Sequence, residues 1–221
     1  MPFESRYFDP DQTNFLEDIK TIQPTLGYCI FIDLVKSSEM KDAPPWEWMI
    51  RLHNTFSNAR AYMTFFNKPI KVTGDEVMYY IPALELSKSG QTALQVFKSL
   101  CMIANEPDEQ LFRTVKVGIA FCESAYAITY WKGTPDIHGK DIDLAARLVN
   151  LAEPREIVMN EGFYQMLQDA YQSTGNKETF EEVEKIKGPW PVILKGFSKY
   201  NNVYKLPAAP VAVHDRPLQD W

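Results

Sequence analysis

The sequence has few cysteines, no long apolar run and no excess of basic residues, and each absence excludes a class of protein. Cys29, Cys101 and Cys122 lie in apolar stretches without CxxC spacing, which predicts buried free thiols in a reducing compartment and disfavours disulfides or a zinc site. No apolar run approaches the roughly 18 residues of a membrane span, and the acidic N-terminus, interrupted by Pro2 and Pro10, is unlike a signal peptide. We therefore expect a cytoplasmic protein with no membrane partner.

The acidic charge balance argues against a broad nucleic-acid-binding surface. A formal net charge of −6 and a pI near 5.2 mean that phosphate binding must come from a few placed cations in a local pocket. We therefore expect a small ligand and no nucleic-acid partner. With 221 residues and 45% hydrophobic content, the chain can bury the core of one domain, and it shows no array of small modules.

The first two thirds of the chain predict strands and helices in the order β, α, β, β, α, β. Strand patterns occur at 26–35, on both sides of the T-G-D-E turn at 68–82, and at 111–130, which fits one long strand or a pair. Helical patterns occur at 44–66, opened by proline, and at 86–106. This order predicts a ferredoxin-like α+β fold with an antiparallel sheet, two helices on one face, and the other face left for a ligand or partner.

The last third predicts additional C-terminal α/β elements. Residues 140–152 carry a helical apolar stripe, 156–160 predict a strand, and 161–170 predict a short helix. Two strands at 180–188 and 201–207, joined by a proline-containing segment, are expected to close the domain. The chain thus divides into an N-terminal arm (1–25), one domain (26–206) and an extended C-terminal tail (207–221).

Two carboxylates stand where a cation site can form. Asp33 ends an otherwise uncharged apolar run, and Asp75 lies near the tip of the predicted hairpin. An unpaired carboxylate at such a strand end is costly unless a cation or hydrogen-bond donors meet it. Two such groups that meet in space can hold a hard divalent cation, which is the minimum apparatus for phosphoryl chemistry on a nucleotide.

Four blocks in the same order resemble those of the class III nucleotidyl cyclases, the family of adenylyl and guanylyl cyclase catalytic domains. FIDLVKSS is similar to the family's first metal block, KVTGDEVMYY to its hairpin block, DIHGKDIDLAARL to its helix block, and ILKGF with NNVYKL to its closing strands. The resemblance runs from about Gly27 to Leu206, so it makes residues 26–206 the expected catalytic domain. It implies conversion of a nucleoside triphosphate into a 3′,5′-cyclic nucleotide and pyrophosphate.

The resemblance implies two divalent cations, Mg²⁺ or Mn²⁺, as cofactors. Asp33 and Asp75 match the two metal-binding aspartates, and the backbone carbonyl of Ile32 is expected to join them at one ion. One cation would activate the ribose 3′-hydroxyl for attack on the α-phosphorus, and the other would hold the triphosphate and stabilise the leaving pyrophosphate.

The resemblance also implies residues that act on the phosphates and the ribose. Arg147 matches the arginine that stabilises charge at the α-phosphate, and Lys195 matches a triphosphate-binding lysine. Lys132 is a further phosphate candidate. Asp143 stands where the family usually has a ribose-orienting asparagine, and because it lies four residues before Arg147, a helical ion pair that aligns the arginine is the alternative.

Base choice is left open by Lys71 and Asp136, which match the family's base-reading pair. A lysine donor facing an aspartate acceptor fits adenine and cytosine, and also uracil if the lysine meets a carbonyl. Trp46 and Trp48 either narrow the base pocket toward a pyrimidine or belong to the surface and core of the first helix. A short stand-alone cyclase resembles the Pycsar pyrimidine cyclases of bacterial antiphage defence, which favours uridylate over cytidylate and implies an effector that senses the cyclic product.

The family resemblance implies a homodimer, because class III sites form between two domains and this chain has one. Two composite sites would form across a twofold axis. In each site Asp33 and Asp75 of one subunit would face Lys71, Asp136, Arg147 and Lys195 of the other.

Three alternatives differ in chemistry from a pyrimidine cyclase. An adenylate cyclase fits the same base-reading pair, and a degenerate cyclase-fold regulatory module that only binds nucleotide is favoured by Asp143 but disfavoured by the two metal aspartates. T-G-D-E-V also resembles the GGDEF turn of diguanylate cyclases. Thr73 and Val77 replace the expected glycine and phenylalanine, and the helix block fits class III better.

Overall fold

A seven-stranded mixed sheet positions the other elements of the fold. The computed structural model of the chain describes residues 5–9, 11, 14–42, 44–63, 69–106, 114–173 and 180–208. In chain order the strands are β1 (Arg6–Tyr7), β2 (Thr25–Leu34), β3 (Lys71–Thr73), β4 (Glu76–Pro82), β5 (Val115–Ala125), β6 (Ile128–Thr129), β7 (Ile157–Asn160), β8 (Lys187–Val192) and β9 (Asn201–Leu206). The large sheet has the order β3-β4-β2-β5-β7-β9-β8, and β1 pairs separately with β6.

The helices confirm the predicted α+β class. They are α1 (Phe15–Lys20), α2 (Pro45–Tyr62), α3 (Ala83–Lys88), α4 (Ala93–Ala104), α5 (Lys140–Leu151) and α6 (Glu161–Ser173). All neighbouring strands of the large sheet are antiparallel except β5 and β7, which are parallel. The sheet is therefore mixed, where the sequence predicted an antiparallel one.

Alternation along β2 divides the core between the two faces of the sheet. Tyr28, Ile30 and Ile32 point to the first face, where α2, α4 and α6 pack, and Cys29 and Phe31 point to the second face. Every one of these β2 side chains is less than 10% exposed. Because both faces of β2 are buried, its sequence is an almost continuous apolar run instead of an alternating one.

Helix α5 covers part of the second face, which the sequence predicted to be open. It packs across β5, with contacts to β2 and β7. The helix approaches very closely at Gly118, where an added Cβ would lie 2.3 Å from the Val149 nitrogen and 2.7 Å from the Ala145 carbonyl oxygen. The helix therefore leaves less of the second face open to a ligand than the sequence predicted.

The helix predicted at 86–106 is two helices, α3 and α4. Gly90 adopts a φ of +70° between them, a conformation that favours glycine and ends the first helix. Thr92 then starts α4 with a capping box, in which the Gln95 side chain accepts from the Thr92 amide at 2.9 Å. The Gly90 turn and the Thr92 cap therefore divide a segment whose apolar spacing predicted a single helix.

The closing strand pair is shifted from its predicted position. Glu181–Lys185 is a 3₁₀ helix, and the strand that pairs with β9 is β8, which runs into the segment predicted to be irregular. Pro189 and Pro191 are tolerated there because β8 is an edge strand, so half of its amide positions need no partner.

The N-terminal segment packs against the domain through β1. Its two residues pair in parallel with β6, and the following Phe8 is only 1% exposed. The predicted C-terminal tail lies outside the described residues from position 209 onward.

The three cysteines are buried free thiols, as predicted. Burial raises the pKa of the Cys29 and Cys101 thiols. Among the described helices, none combines the length and hydropathy that a membrane span requires.

Candidate functional site

The end of β2 carries a row of three ionisable side chains on adjacent strands. Asp33 is in register with Glu76 of β4 and with Lys116 of β5, so all three side chains point to the second face. The Lys116 Nζ atom lies 2.9 Å from Asp33 Oδ2, and the two side chains are 23% and 19% exposed. Two carboxylates and one ammonium thus share one corner of the sheet.

Asp75 lies in the β3–β4 turn, beside the end of β2. Gly74 provides the positive φ of +63° that the turn requires. The Leu34 amide donates to the Asp75 carbonyl oxygen at 3.1 Å, and the hydroxyl of buried Ser37 donates to Asp75 Oδ2. These contacts bring Asp75 to the same corner as Asp33.

Asp33 and Asp75 line one cavity of about 360 Å³, together with Lys116 and the loop at 35–38. Arg51, buried in α2, donates from Nη2 to the Val35 carbonyl at 2.5 Å and so ties this loop to the helix. The first residue of the loop is therefore held by α2 as well as by β2, and Ser37 is held by its hydrogen bond to Asp75.

The donor set of this cavity fits a hard divalent cation. Mg²⁺ and Mn²⁺ prefer oxygen ligands, and Mg²⁺ is commonly bound by one or two carboxylates with substrate phosphates completing its shell. Within the part of the chain that the structure describes, no three carboxylate, histidine or cysteine side chains are arranged to hold a metal ion by themselves. The two carboxylates would therefore share an ion with ligands from the backbone, water or the substrate.

Ile32 and Leu34 differ in their access to this cavity. Ile32 is 1% exposed, lies in register between Val77 and Val117, and does not line the cavity. Leu34, at the end of β2, lines it next to both aspartates. Because a carbonyl inside the sheet is used by the strand ladder, Leu34 is the better placed of the two to offer a backbone oxygen.

The carboxylates perturb one another. Burial, followed by the negative charges of Asp33 and Asp75, raises the pKa of Glu76 to about 7, although the Lys116 ammonium opposes the shift. A cation bound near these carboxylates would offset the negative charges that disfavour ionisation of Glu76.

We predict that Glu76→Gln stabilises the metal-free protein increasingly as pH rises. The raised pKa means that the native state binds the Glu76 proton more tightly than the unfolded state, so this contribution is present below pH 4.5 and is lost as pH rises through about 7. Glutamine stays neutral throughout. Since Glu76 is only partly buried, solvent screening limits the gain at pH 8 to about 1 kcal/mol. Urea unfolding in EDTA at pH 5 and pH 8 measures it, and an equal gain at both values would contradict the prediction.

A second cavity, of about 300 Å³, lies between the β3–β4 hairpin and α5. Lys71 lines it, and the Lys71 Nζ atom lies 2.7 Å from Asp136 Oδ1. Asp136 Oδ1 also accepts a hydrogen bond from the Ile137 amide at 2.7 Å, which fixes the carboxylate shortly before α5 begins. The apolar walls of the cavity are Phe31, Met78, Ile137, Ile142 and Ala146.

Asp143 and Arg147 lie on α5 and do not pair with each other. Asp143 lines the second cavity, whereas the exposed Arg147 lines neither cavity. Among the described residues, no ion pair within 4.0 Å involves either side chain. The intrahelical ion pair considered from the sequence is therefore not formed in this structure.

Lys195 and Lys132 are exposed and lie apart from the aspartates. Lys195 is in the β8–β9 connection, between buried Leu194 and half-buried Phe197. Asp75 immediately precedes β4 and Lys195 follows β8, and these two strands are five positions apart in the sheet, about 24 Å at the usual strand spacing. Lys132, in the loop after β6, lines neither cavity.

The two tryptophans of α2 do not contribute to either cavity. Trp48 packs against the core of the first face, and Trp46 is 59% exposed. Neither lines the cavity that contains Lys71, which is on the second face. The structure therefore agrees with the second interpretation, in which Trp48 belongs to the core and Trp46 to the surface of α2.

Three residues at the aspartate corner were not identified from the sequence, namely Lys116, Glu76 and Ser37. The alternation in VKVGIA does place Lys116 on the opposite face of its strand from Val115 and Val117. What it meets on β2 depends on strand register, which alternation does not determine.

Searches by sequence found no matching family model and no matching curated protein. The fold, in contrast, is similar to solved cyclases. The adenylyl cyclase CyaB from P. aeruginosa matches with a TM-score of 0.64 at 16% identity, over 86% of this chain and 97% of that one. The guanylyl cyclase Cya2 matches with a TM-score of 0.62 at 15% identity, over 87% and 97%.

A third similar structure is the guanylate cyclase domain of RhGC from Catenaria anguillulae, solved in complex with GTP. It matches with a TM-score of 0.59 at 12% identity, over 84% of this chain and 98% of that one. The chain therefore has the ferredoxin-like α+β fold of cyclase catalytic domains.

Proposed function

We propose that this protein is a nucleotidyl cyclase, which converts a nucleoside triphosphate into a 3′,5′-cyclic nucleotide and pyrophosphate. The observation that carries the proposal is the meeting of Asp33 and Asp75 at one cavity with oxygen donors suited to a divalent cation. In the reaction a bond forms between O3′ and the α-phosphorus, the α–β phosphoanhydride bond breaks, and the 3′-hydroxyl proton is released.

Asp33 and Asp75 are the metal-binding residues in this proposal, with the carbonyl of Leu34 in place of that of Ile32. The change follows from the burial of Ile32 within the sheet and the position of Leu34 at the cavity. Divalent cations bound there would supply the Lewis acidity that lowers the pKa of the ribose 3′-hydroxyl and neutralises the triphosphate. The carboxylates of Asp33 and Asp75 and the carbonyl of Leu34 are the protein groups that would hold these cations.

Arg147 and Lys195 act on the phosphates of a nucleotide bound to a second copy of the chain. Both are exposed, neither lines the aspartate cavity, and β8 is about 24 Å from β4 in the same sheet. A homodimer brings these cations to the aspartates of the partner, with Lys132 as a further phosphate contact. The guanidinium of Arg147 then stabilises the negative charge that develops at the α-phosphate.

Lys71 and Asp136 read the base, and Asp143 lies beside them to orient the ribose. The 2.7 Å contact between Lys71 and Asp136 holds a donor and an acceptor beside a cavity lined by apolar and polar side chains. We propose a pyrimidine, with UTP preferred over CTP, on the overall resemblance of the chain to pyrimidine cyclases. Adenylate cyclase activity is the second candidate, since the same donor and acceptor also fit adenine.

A pyrimidine product would act as a second messenger in antiphage signalling. Its receiver would be a separate effector protein that senses the cyclic nucleotide. This part of the proposal rests on the same overall resemblance to the pyrimidine cyclases of antiphage defence.

The test is an assay of purified protein with ATP, GTP, CTP and UTP at equal concentration, with Mg²⁺ or Mn²⁺, and mass detection of products. The proposal predicts cyclic UMP as the dominant product. Dominant cyclic AMP would replace the pyrimidine assignment by adenylate cyclase. Nucleotide binding without any cyclic product would identify a regulatory module instead.

A further inference from the structure

The contact between Lys116 and Asp33 places a cation where a metal ion is expected. The ammonium lies 2.9 Å from Asp33 Oδ2, and both Asp33 and Lys116 line the aspartate cavity. Both side chains are less than a quarter exposed, so the pair is held away from bulk water. An exposed pair would be of little consequence, but a shielded one competes with other ligands of the same oxygen.

A divalent cation and the ammonium cannot both take the same lone pair of Asp33. Mg²⁺ binds carboxylate oxygens at about 2.1 Å, so an ion at Oδ2 would lie within a few ångströms of Lys116 Nζ, and the two positive charges would repel. The lysine side chain is a flexible four-carbon stem with a compact charge, so it can turn away without movement of β5.

We propose that Lys116 neutralises Asp33 in the metal-free protein and that a divalent cation must displace it to bind there. The proposal rests on the proposed function in one respect, the metal-binding role of Asp33. The cavity offers the displaced ammonium space beside the loop at 35–38. Because the contact between Lys116 and Asp33 must break before the ion binds, it lowers the affinity of the site for the ion.

The test is calorimetric titration of Mn²⁺ into the nucleotide-free protein and its Lys116→Met variant. Removing the competing ammonium is expected to raise Mn²⁺ affinity about fivefold to tenfold. Lys116→Arg should lower Mn²⁺ affinity severalfold, because a guanidinium binds a carboxylate through two nitrogens.

The matched control is Lys205→Met, which breaks the 3.4 Å contact between Lys205 and Glu156, a pair of similar exposure that lines neither cavity. It should leave Mn²⁺ affinity unchanged. Unchanged Mn²⁺ affinity in both Lys116 variants would overturn the proposal, whether or not the protein is a cyclase. Failure of the wild type and of both variants to bind Mn²⁺ would overturn the proposed function and, with it, this proposal.

Discussion

The Asp33→Asn protein is expected to form cyclic nucleotide at least about 1,000-fold more slowly than the wild type, a loss of about 4 kcal/mol of transition-state stabilisation. Asparagine keeps the shape of the side chain but removes the charge that holds a divalent cation. Asp33 lines the aspartate cavity, whereas the neighbouring carboxylate of Glu76 lines the other cavity, so Glu76 is not placed to substitute for it. Initial rates at saturating Mn²⁺ measure the effect.

The control for this variant is Glu156→Gln. Glu156 is also a shielded carboxylate in contact with a lysine, with 15% of its side chain exposed compared with 19% for Asp33. It lines neither cavity, so the variant is expected to retain activity. Near-normal rates in Asp33→Asn protein that binds Mn²⁺ as tightly as the wild type would contradict the metal-binding role of Asp33.

A hybrid dimer of an Asp33→Asn chain and an Arg147→Ala chain is expected to recover about half of the wild-type activity, although each variant alone is inactive. In the hybrid, one site combines both substitutions and the other combines the intact Asp33 of one chain with the intact Arg147 of the other. Arg147 is exposed and makes no ion pair with the described residues, so its loss should not disturb the fold. Co-expression with two affinity tags and sequential purification isolates the hybrid.

The controls are the two doubly tagged homodimers, one for each variant, prepared in the same way. Each should show less than about 1% of wild-type activity, because both of its sites lack the same essential residue. A hybrid no more active than these parents would place Asp33 and Arg147 in one chain's site. Failure to isolate any hybrid from soluble, folded protein would contradict the dimer.

The alternation and spacing of apolar residues predicted most of the fold correctly. The apolar run at 26–35 became β2, the T-G-D-E turn became the β3–β4 hairpin, and residues 140–152 became α5. The errors fell where local chemistry or edge position decides, at the Gly90 break between α3 and α4 and at the proline-containing strand β8. Periodicity alone does not report either effect.

The candidate site was predictable only in part, because it depends on which strands become neighbours. The resemblance singled out Asp33 and Asp75, and the structure brings both to one cavity. Lys116 is 83 positions from Asp33 in the chain and reaches it only through the register of β5 on β2. Local sequence cannot encode that neighbour, nor the closeness of α5 to the sheet that Gly118 allows.

The most direct test of the account is the product formed from a nucleoside triphosphate in water enriched in ¹⁸O, with Mn²⁺ present. Cyclisation uses the ribose 3′-oxygen as the nucleophile, so the expected products are a 3′,5′-cyclic nucleotide and pyrophosphate that contain no ¹⁸O. A linear nucleoside monophosphate or diphosphate, with ¹⁸O in the nucleotide or in the released phosphate or pyrophosphate, would mean that water attacks the phosphates. That result would contradict the assignment of the protein as a cyclase.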